Sequence, residues 1–480
     1  MKFSISADKF FNAVNKLNYV VPGSSHSTLP ILTNIYFNLE GNNLSMVSTD
    51  LEAFIKTGIE VEGTENGAVA VPARKLLDLL KALIIKSESV ISKSPFNQDL
   101  YGALLGESVL PELADMNTRY DNGAGMLIYK GTMPNDSFAP LDQALADMKE
   151  KTGSREDLQE AFNAFSEAMK KLRSDAEKLF KKSADKIKIK FESNDKHKIT
   201  INSKNGKYQF FGEPVDDYPL PDDREELAKL EMEGQLLRRF LQKVKHSVKN
   251  DEIRRNMAGV FMDLRKSKLR FVATDGFRLS KVITNEFTQE NGKDDNFILP
   301  IKTVDLIAKL ITDGKVKVEF DDVMIKFTFD GVLVYSKLID DTFPNYESVI
   351  PKDNDKKLLI NRYEILSALR RASIFTDKVT MRVKFEITDN ELTIKSDNPE
   401  IGGEGEETLD CDFKTNAGDE IADTFAIAFN VTYLLECLTQ IETDDIVITF
   451  SSPSKASIIL PVGADSGEEY MELIMPVRVG

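Results

Sequence analysis

Three stretches of this 480-residue chain are versions of one another, which restricts it to folds that build one unit several times. Val71-Pro72-Ala73-Arg74-Lys75-Leu76-Leu77 returns as Leu299-Pro300-Ile301-Lys302-Thr303-Val304-Asp305, and again as Phe429-Asn430-Val431-Thr432-Tyr433-Leu434-Leu435. Each reads as the end of a strand turning directly into an amphipathic helix. Upstream of each lies a second landmark: Ser48-Thr49-Asp50, Ala273-Thr274-Asp275 and Lys395-Ser396-Asp397. Asp50, Asp275 and Asp397 are expected as turn residues at strand ends, because a short carboxylate caps nearby backbone N–H groups. The first interval between copies exceeds the second by about 100 residues, far more than a loop. A small domain therefore sits inside the first repeat, after Pro72.

Each unit opens with a strand and then a helix. The helices are predicted over Ala7 to Asn18, Gly234 to Val248 and Asn361 to Ile374, with apolar stripes such as Phe10, Phe11, Val14 and Leu17 on one face. A hairpin follows, Ile35 to Glu40 with Leu44 to Ser48 in the first copy; its counterparts are Val260 to Leu264 with Leu269 to Ala273, and Val383 to Ile387 with Leu392 to Lys395. Two helices and several antiparallel strands in roughly 120 residues make each unit an α+β domain.

The chain is acidic, with 62 basic and 78 acidic residues and a net charge of −16, which argues against non-specific coating of nucleic acid. Distribution tells more. The Gly234 helix carries Arg238, Arg239, Lys243, Lys245, His246 and Lys249 and no acid, with Arg254 and Arg255 just beyond. The helix of the third unit carries Arg362, Arg370 and Arg371 against the single acid Glu364. The first unit adds Lys9, Lys16, Arg74, Lys75 and Lys81. Basic charge on equivalent helices of an acidic protein points to a surface facing phosphate; the competing reading is a solvated helix face.

Two cysteines, Cys411 and Cys437, and three histidines are too few for a disulfide framework or a zinc cluster, and both thiols are expected to be buried. No nucleophile–base spacing, glycine-rich phosphate loop or paired ligand motif is present, so neither catalysis nor a cofactor or metal is expected. The N-terminus alternates like a strand and no run reaches the roughly 18 apolar residues that span a bilayer, so a cytoplasmic protein without membrane association is expected.

At Leu29-Pro30-Ile31-Leu32, Thr49-Asp50-Leu51-Glu52, Val71-Pro72-Ala73-Arg74-Lys75, Ala273-Thr274-Asp275-Gly276-Phe277-Arg278-Leu279, Phe343-Pro344-Asn345-Tyr346 and Met475-Pro476-Val477-Arg478, the sequence resembles the bacterial DNA polymerase III beta subunits, the replicative sliding clamps. The resemblance covers residues 1 to about 83 and about 184 to 480. It implies three DNA-clamp domains per chain and a head-to-tail homodimer closing into a ring. Such a ring encircles double-stranded DNA without reading sequence and confers processivity as a non-catalytic subunit. The replicative polymerase and the clamp loader would dock through short peptides.

Carried onto this sequence, DNA contact falls on Arg74, Arg255, Asn256 and His26, joined by Arg238 and Arg239 from the charge pattern. His26 stands where some relatives carry a basic residue, and Asp251 where a neutral one can occur. The peptide groove maps to Met257, Thr274, Gly276, Phe277, Arg278, Leu279, Pro344, Val349, Met475, Pro476, Val477 and Arg478. The dimer seam maps to Tyr208 and Phe210 against Ile374 and Phe375.

The implied domains are 1–83 with 184–228, then 229–353, then 354–480. Residues 84–183 form an insert that the resemblance does not cover. Within it Pro140 to Lys151 and Ser154 to Lys182 read as helices, the second with the apolar stripe Leu158, Phe162, Phe165, Met169, Leu172 and Leu179. A mostly helical lobe is expected there. The alternative is a clamp-fold scaffold, or an engineered fusion, whose insert is a protein-binding module.

Overall fold

The computed structural model describes residues 1–23, 29–84, 187–222, 224, 227–249, 253–265, 267–290, 294–388, 390–398, 402–421, 423–463 and 467–478. The insert helices, His26 and Asp251 lie outside them.

Six helices are described: α1 (Ala7–Leu17), α2 (Ala73–Ile84), α3 (Gly234–Lys245), α4 (Ile301–Leu310), α5 (Arg362–Ser373) and α6 (Val431–Gln440). Every one follows a strand without a loop, as the repeat predicts. Lys2–Ser6, Ala228–Glu233 and Lys356–Asn361 run into α1, α3 and α5; Gly67–Pro72, Asp295–Pro300 and Phe425–Asn430 run into α2, α4 and α6. The helices pack in pairs, α1 on α2, α3 on α4 and α5 on α6, so the unit is built three times. Local chemistry sets the starts. The Ser6 hydroxyl accepts from Lys9 N, and the Asn361 and Asn430 side chains each accept two N–H groups of the first turn.

The chain divides into two compact units, one of residues 1–48 with 57–218, the other of residues 49–56 with 219–480. In the first, strand Lys2–Ser6 lies between Glu62–Glu65 and Lys188–Ser193, and the sheet continues through Lys198–Asn202 to Lys207–Phe211. Strand Asn34–Glu40 pairs with Asn43–Thr49 and with Gly67–Pro72. Four phenylalanines form the core. Phe191 stacks on Phe3 at 4.8 Å and meets Phe37 at 5.9 Å, while Phe10 sits edge-on to Phe3 at 5.7 Å. Residues after the insert thus complete a core begun before it. Tyr218 closes the unit, its buried hydroxyl placed 3.0 Å from Asn34 O and 3.2 Å from Val47 O.

In the second unit one sheet holds nine strands, in the order Asp295–Pro300, Gly259–Arg265, Lys268–Thr274, Arg278–Thr284, Glu468–Ile474, Ser457–Pro461, Asp445–Phe450, Lys356–Asn361 and Asp412–Thr415. Two copies of the repeat merge in it where Arg278–Thr284 pairs antiparallel with Glu468–Ile474, from Arg278↔Ile474 to Thr284↔Glu468. A smaller sheet orders Gly403–Asp410, Glu391–Asn398, Arg382–Ile387 and Phe425–Asn430. Its first strand buries no residue and carries Glu404, Glu406, Glu407 and Asp410, charges that discourage pairing by a stray strand.

Two of the three aspartate landmarks lie in described turns. Asp50 and Asp275 are turn residues as expected, each accepting two backbone N–H groups through Oδ1. Asp397 instead lies within strand Glu391–Asn398 and accepts from Arg382 at 3.1 Å. Residues 399 and 400, whose amides a turn at Asp397 would engage, lie outside the described residues.

Candidate protein-docking and nucleic-acid interfaces

Near the seam between the two merged repeats lie most of the residues expected to form the peptide groove. Its anchor is the turn from Thr274 to Arg278. Thr274 Oγ1 donates to Arg278 O at 2.7 Å and accepts from Gly276 N, while Asp275 Oδ1 accepts from the amides of Phe277 and Arg278. Gly276 takes a φ of +90°, a conformation that a residue without Cβ adopts at little cost. The turn pushes Phe277 outward, 57% exposed, and its ring stacks against Tyr433 at 6.5 Å. Met475 N donates to Phe277 O at 2.8 Å, and Val477 N donates to Ala428 O at 2.8 Å, so the C-terminal segment is fastened to the turn and to the strand before α6.

Arg278 points the other way and is buried. Its guanidinium reaches Asp275 Oδ2 at 3.1 Å, the carboxylate of Glu436, and His246 O at 2.6 Å, and lies over the Tyr433 ring at 4.5 Å. Burial works against its charge, but Glu436 and then Asp275 hold it protonated above its usual range.

Beneath the turn, Leu279 joins Val272, Phe343, Tyr346, Met471 and Leu473 in one apolar cluster. Tyr346 fixes the segment that carries Pro344 and Val349, because its hydroxyl donates to Asp263 at 2.7 Å and accepts from Arg265 at 2.9 Å. Burial and the Asp263 charge push that phenol well above its ordinary value.

The expected groove residues therefore divide. Phe277, Val349, Met475 and Arg478 are exposed, Gly276 is open, and Pro344, Pro476 and Val477 are half-buried. Met257, Thr274, Arg278 and Leu279 are buried and act as support for that surface rather than as its lining. Tyr433 supports the same surface through Phe277 and Arg278, and its only signal in the sequence is its place in the third repeat.

The basic helix faces are neutralised in part. Arg239 engages Glu442 with two nitrogens and Glu468 at 2.8 Å, and Lys243 is 5% exposed between Glu468 and Glu442. Burial opposes the Glu442 charge, yet Arg239 and Lys243 hold its carboxyl below the ordinary range. Lys245 pairs with Asp305, and Arg371 pairs with Glu407 through two hydrogen bonds. A helix without acids of its own is thus supplied with them by other elements, and Arg239 is not free to meet phosphate. Arg74, Arg238, Arg255 and Arg370 are exposed and form no ion pair among the described residues. Asn256 is half-buried, with its side-chain amide on Thr342 O at 3.3 Å.

At the expected dimer seam, Tyr208, Ile374 and Phe375 are exposed, Ile374 by 71%. Phe210 is not part of that surface: it is 8% exposed within the first unit, and its neighbour Phe211, 67% exposed, faces outward. Strand alternation puts the two on opposite faces, and only one of them can be surface.

Models of the DNA polymerase III beta subunit match three parts of the chain: its N-terminal domain at 1–94, its central domain at 231–345 and its C-terminal domain at 347–478. The beta sliding clamp of Pseudomonas putida is 22% identical over 482 residues, covering 100% of both chains. That of Rickettsia bellii is 29% identical over 289 residues, covering 58% of this chain and 75% of the other. Among solved structures, a DNA polymerase sliding clamp from Pseudomonas aeruginosa superposes with a TM-score of 0.73 at 21% identity, over 100% of both chains. A sliding clamp from the same organism bound to griselimycin gives a TM-score of 0.71 at 20% identity, again over 100% of both.

Proposed function

The chain belongs to the DNA polymerase III beta subunit family, and from that premise we propose that it is a sliding clamp, a non-catalytic subunit that encircles duplex DNA and holds the replicative polymerase to it. The observation that carries this reading is the thrice-built domain with its paired helices, combined with the exposed apolar side chains Phe277, Val349 and Met475 near the merger of the second and third copies. A closed ring needs no base contacts, since phosphate-facing charge alone lets it slide. We assign that charge to Arg74, Arg238, Arg255 and Arg370, with Asn256 beside them, and leave Arg239 to its carboxylates.

Ring closure falls to a head-to-tail homodimer through Tyr208 and Phe211 of one protomer and Ile374 and Phe375 of its partner. The domains are residues 1–83 with 184–228, then 229–353, then 354–480. The registered pairing of Lys188–Ser193 with Lys2–Ser6 supports joining the first two segments across the insert. A cytoplasmic location follows from the role in replication; no described helix is long and apolar enough to cross a membrane.

Polymerase and clamp-loader peptides would lie over Phe277, Val349, Met475 and Pro476, an apolar strip with a few polar neighbours, which suits an extended hydrophobic segment. Two experiments test the reading. The loaded protein should stay on circular but not on linear plasmid, and equal retention on both overturns encirclement. Replacing Met475 and Pro476 with alanine should abolish binding of a polymerase tail peptide while leaving the dimer intact; unchanged affinity overturns the groove.

A further inference from the structure

His246, Cys437 and Glu472 come from distant parts of the chain: the end of α3, the middle of α6 and the last strand. Their ligating atoms all lie within 4.8 Å of one another. Glu472 and Cys437 are fully buried and the His246 side chain is 9% exposed. Glu472 Oε2 accepts from Ser280 Oγ at 2.6 Å; Oε1 lies 3.3 Å from His246 Nε2 and accepts from the Tyr470 hydroxyl.

A buried carboxyl needs a counter-charge, a proton or hydrogen bonds. The two nearby cations are committed elsewhere, Lys243 to Glu468 and Glu442, Arg278 to Asp275 and Glu436. A nitrogen, a sulfur and an oxygen donor converge on one point, a donor set typical of zinc. Tetrahedral zinc, with bonds of about 2.0–2.3 Å, needs donors roughly 3.3–3.8 Å apart. The His246–Glu472 distance of 3.3 Å already suits it, and the remaining separations, at most 4.8 Å, close by an adjustment of about 1 Å at most.

We propose that His246, Cys437 and Glu472 form a zinc site that fastens the central domain to the C-terminal domain beneath the strand beginning at Arg278. The fourth position falls to the Ser280 hydroxyl or to water. Charge balances: the thiol releases its proton to solvent, and Zn²⁺ with one thiolate and one carboxylate is neutral, as burial requires. Without the ion, burial and Glu472 push the Cys437 thiol well up, so it stays protonated. Counting cysteines in the sequence pointed away from zinc; a mixed site needs only one, and the fold supplies it.

The test uses the full chain, stripped with a chelator and titrated with cobalt(II), both folded and during refolding from urea, since the site has little access to solvent. One cobalt per chain should bind with a thiolate-to-cobalt charge-transfer band, and zinc should displace it. The band should vanish in Cys437→Ser, persist in Cys411→Ser, and require at least tenfold more cobalt in His246→Gln, a milder change should Cys437→Ser not fold. Zinc should also raise the Tm of the parent chain but not that of His246→Gln. No band under either loading condition, a band that survives Cys437→Ser, or equal cobalt affinity in His246→Gln overturns the proposal.

Discussion

Two turns of this protein have the same backbone and opposite fates. Thr49 to Ala53 and Thr274 to Arg278 share four hydrogen bonds: the threonine hydroxyl donates to the fifth residue's carbonyl at 2.7 Å in both, and accepts the third residue's amide. The aspartate accepts the next two amides. Yet the first turn is consumed internally. Lys302 holds Glu52 at 3.0 Å and Asp50 at 3.6 Å, and Glu52 O accepts from Lys337 N. The second has Phe277 where the first has Glu52, and Arg278 where the first has Ala53. The repeat therefore supplies a rigid turn, and two side chains decide whether it serves the protein's own packing or faces a partner.

Removing Arg278 attacks that difference most directly. Arg278→Ala should destabilise the chain by about 3 kcal/mol, because it strands Asp275 and Glu436 and leaves His246 O without its donor. Peptide binding should fall with it as Phe277 and Tyr433 lose their shared support. Urea unfolding of the full chain measures the first effect. A loss below about 1 kcal/mol, the range of exposed ion pairs, would mean that this arginine does no more for its turn than alanine does for the other.

The repeat made much of this architecture legible. Strand-to-helix junctions at Pro72, Pro300 and Asn430, the hairpins and two of the three aspartate turns follow from local chemistry, which a sequence displays. Pairings across distance do not show. The acid-free face of α3 looked open because Glu442 and Glu468, which neutralise it, lie in another repeat. Phe210 and Phe211 are adjacent and equally apolar, and only strand phase, set by the sheet, separates core from surface. His246, Cys437 and Glu472 form no motif at all until the fold gathers them.

Phe277 carries the next largest effect, on binding rather than stability. Phe277→Glu copies the first turn and places a charge where an apolar peptide would lie. Affinity for a polymerase tail peptide should drop by about thirtyfold, corresponding to roughly 2 kcal/mol for a central aromatic contact. Stability should move by no more than about 0.5 kcal/mol, since the ring is mostly exposed. Fluorescence anisotropy of a labelled peptide reads the affinity, and retention of full binding would show that the docking surface lies elsewhere.

The smallest effects concern the third position, where Leu51 and Gly276 hold φ values of +76° and +90°. A leucine in this conformation costs about 1–2 kcal/mol relative to its relaxed backbone, and the first turn bears that cost because its surroundings fix it. Gly276→Leu should therefore fold, at a loss of about 1 kcal/mol. A Cβ there meets nothing nearer than Arg254 Nη1 at 3.9 Å, so the loss is conformational and not steric. The reverse change, Leu51→Gly, relieves the strain but frees the unfolded chain, and the two should nearly cancel, leaving a shift within about 0.5 kcal/mol. Paired urea titrations of both variants decide it. If Gly276→Leu costs more than about 3 kcal/mol, beyond what φ alone explains, the two turns are not interchangeable backbones, and the second is specialised in its conformation as well as in its side chains.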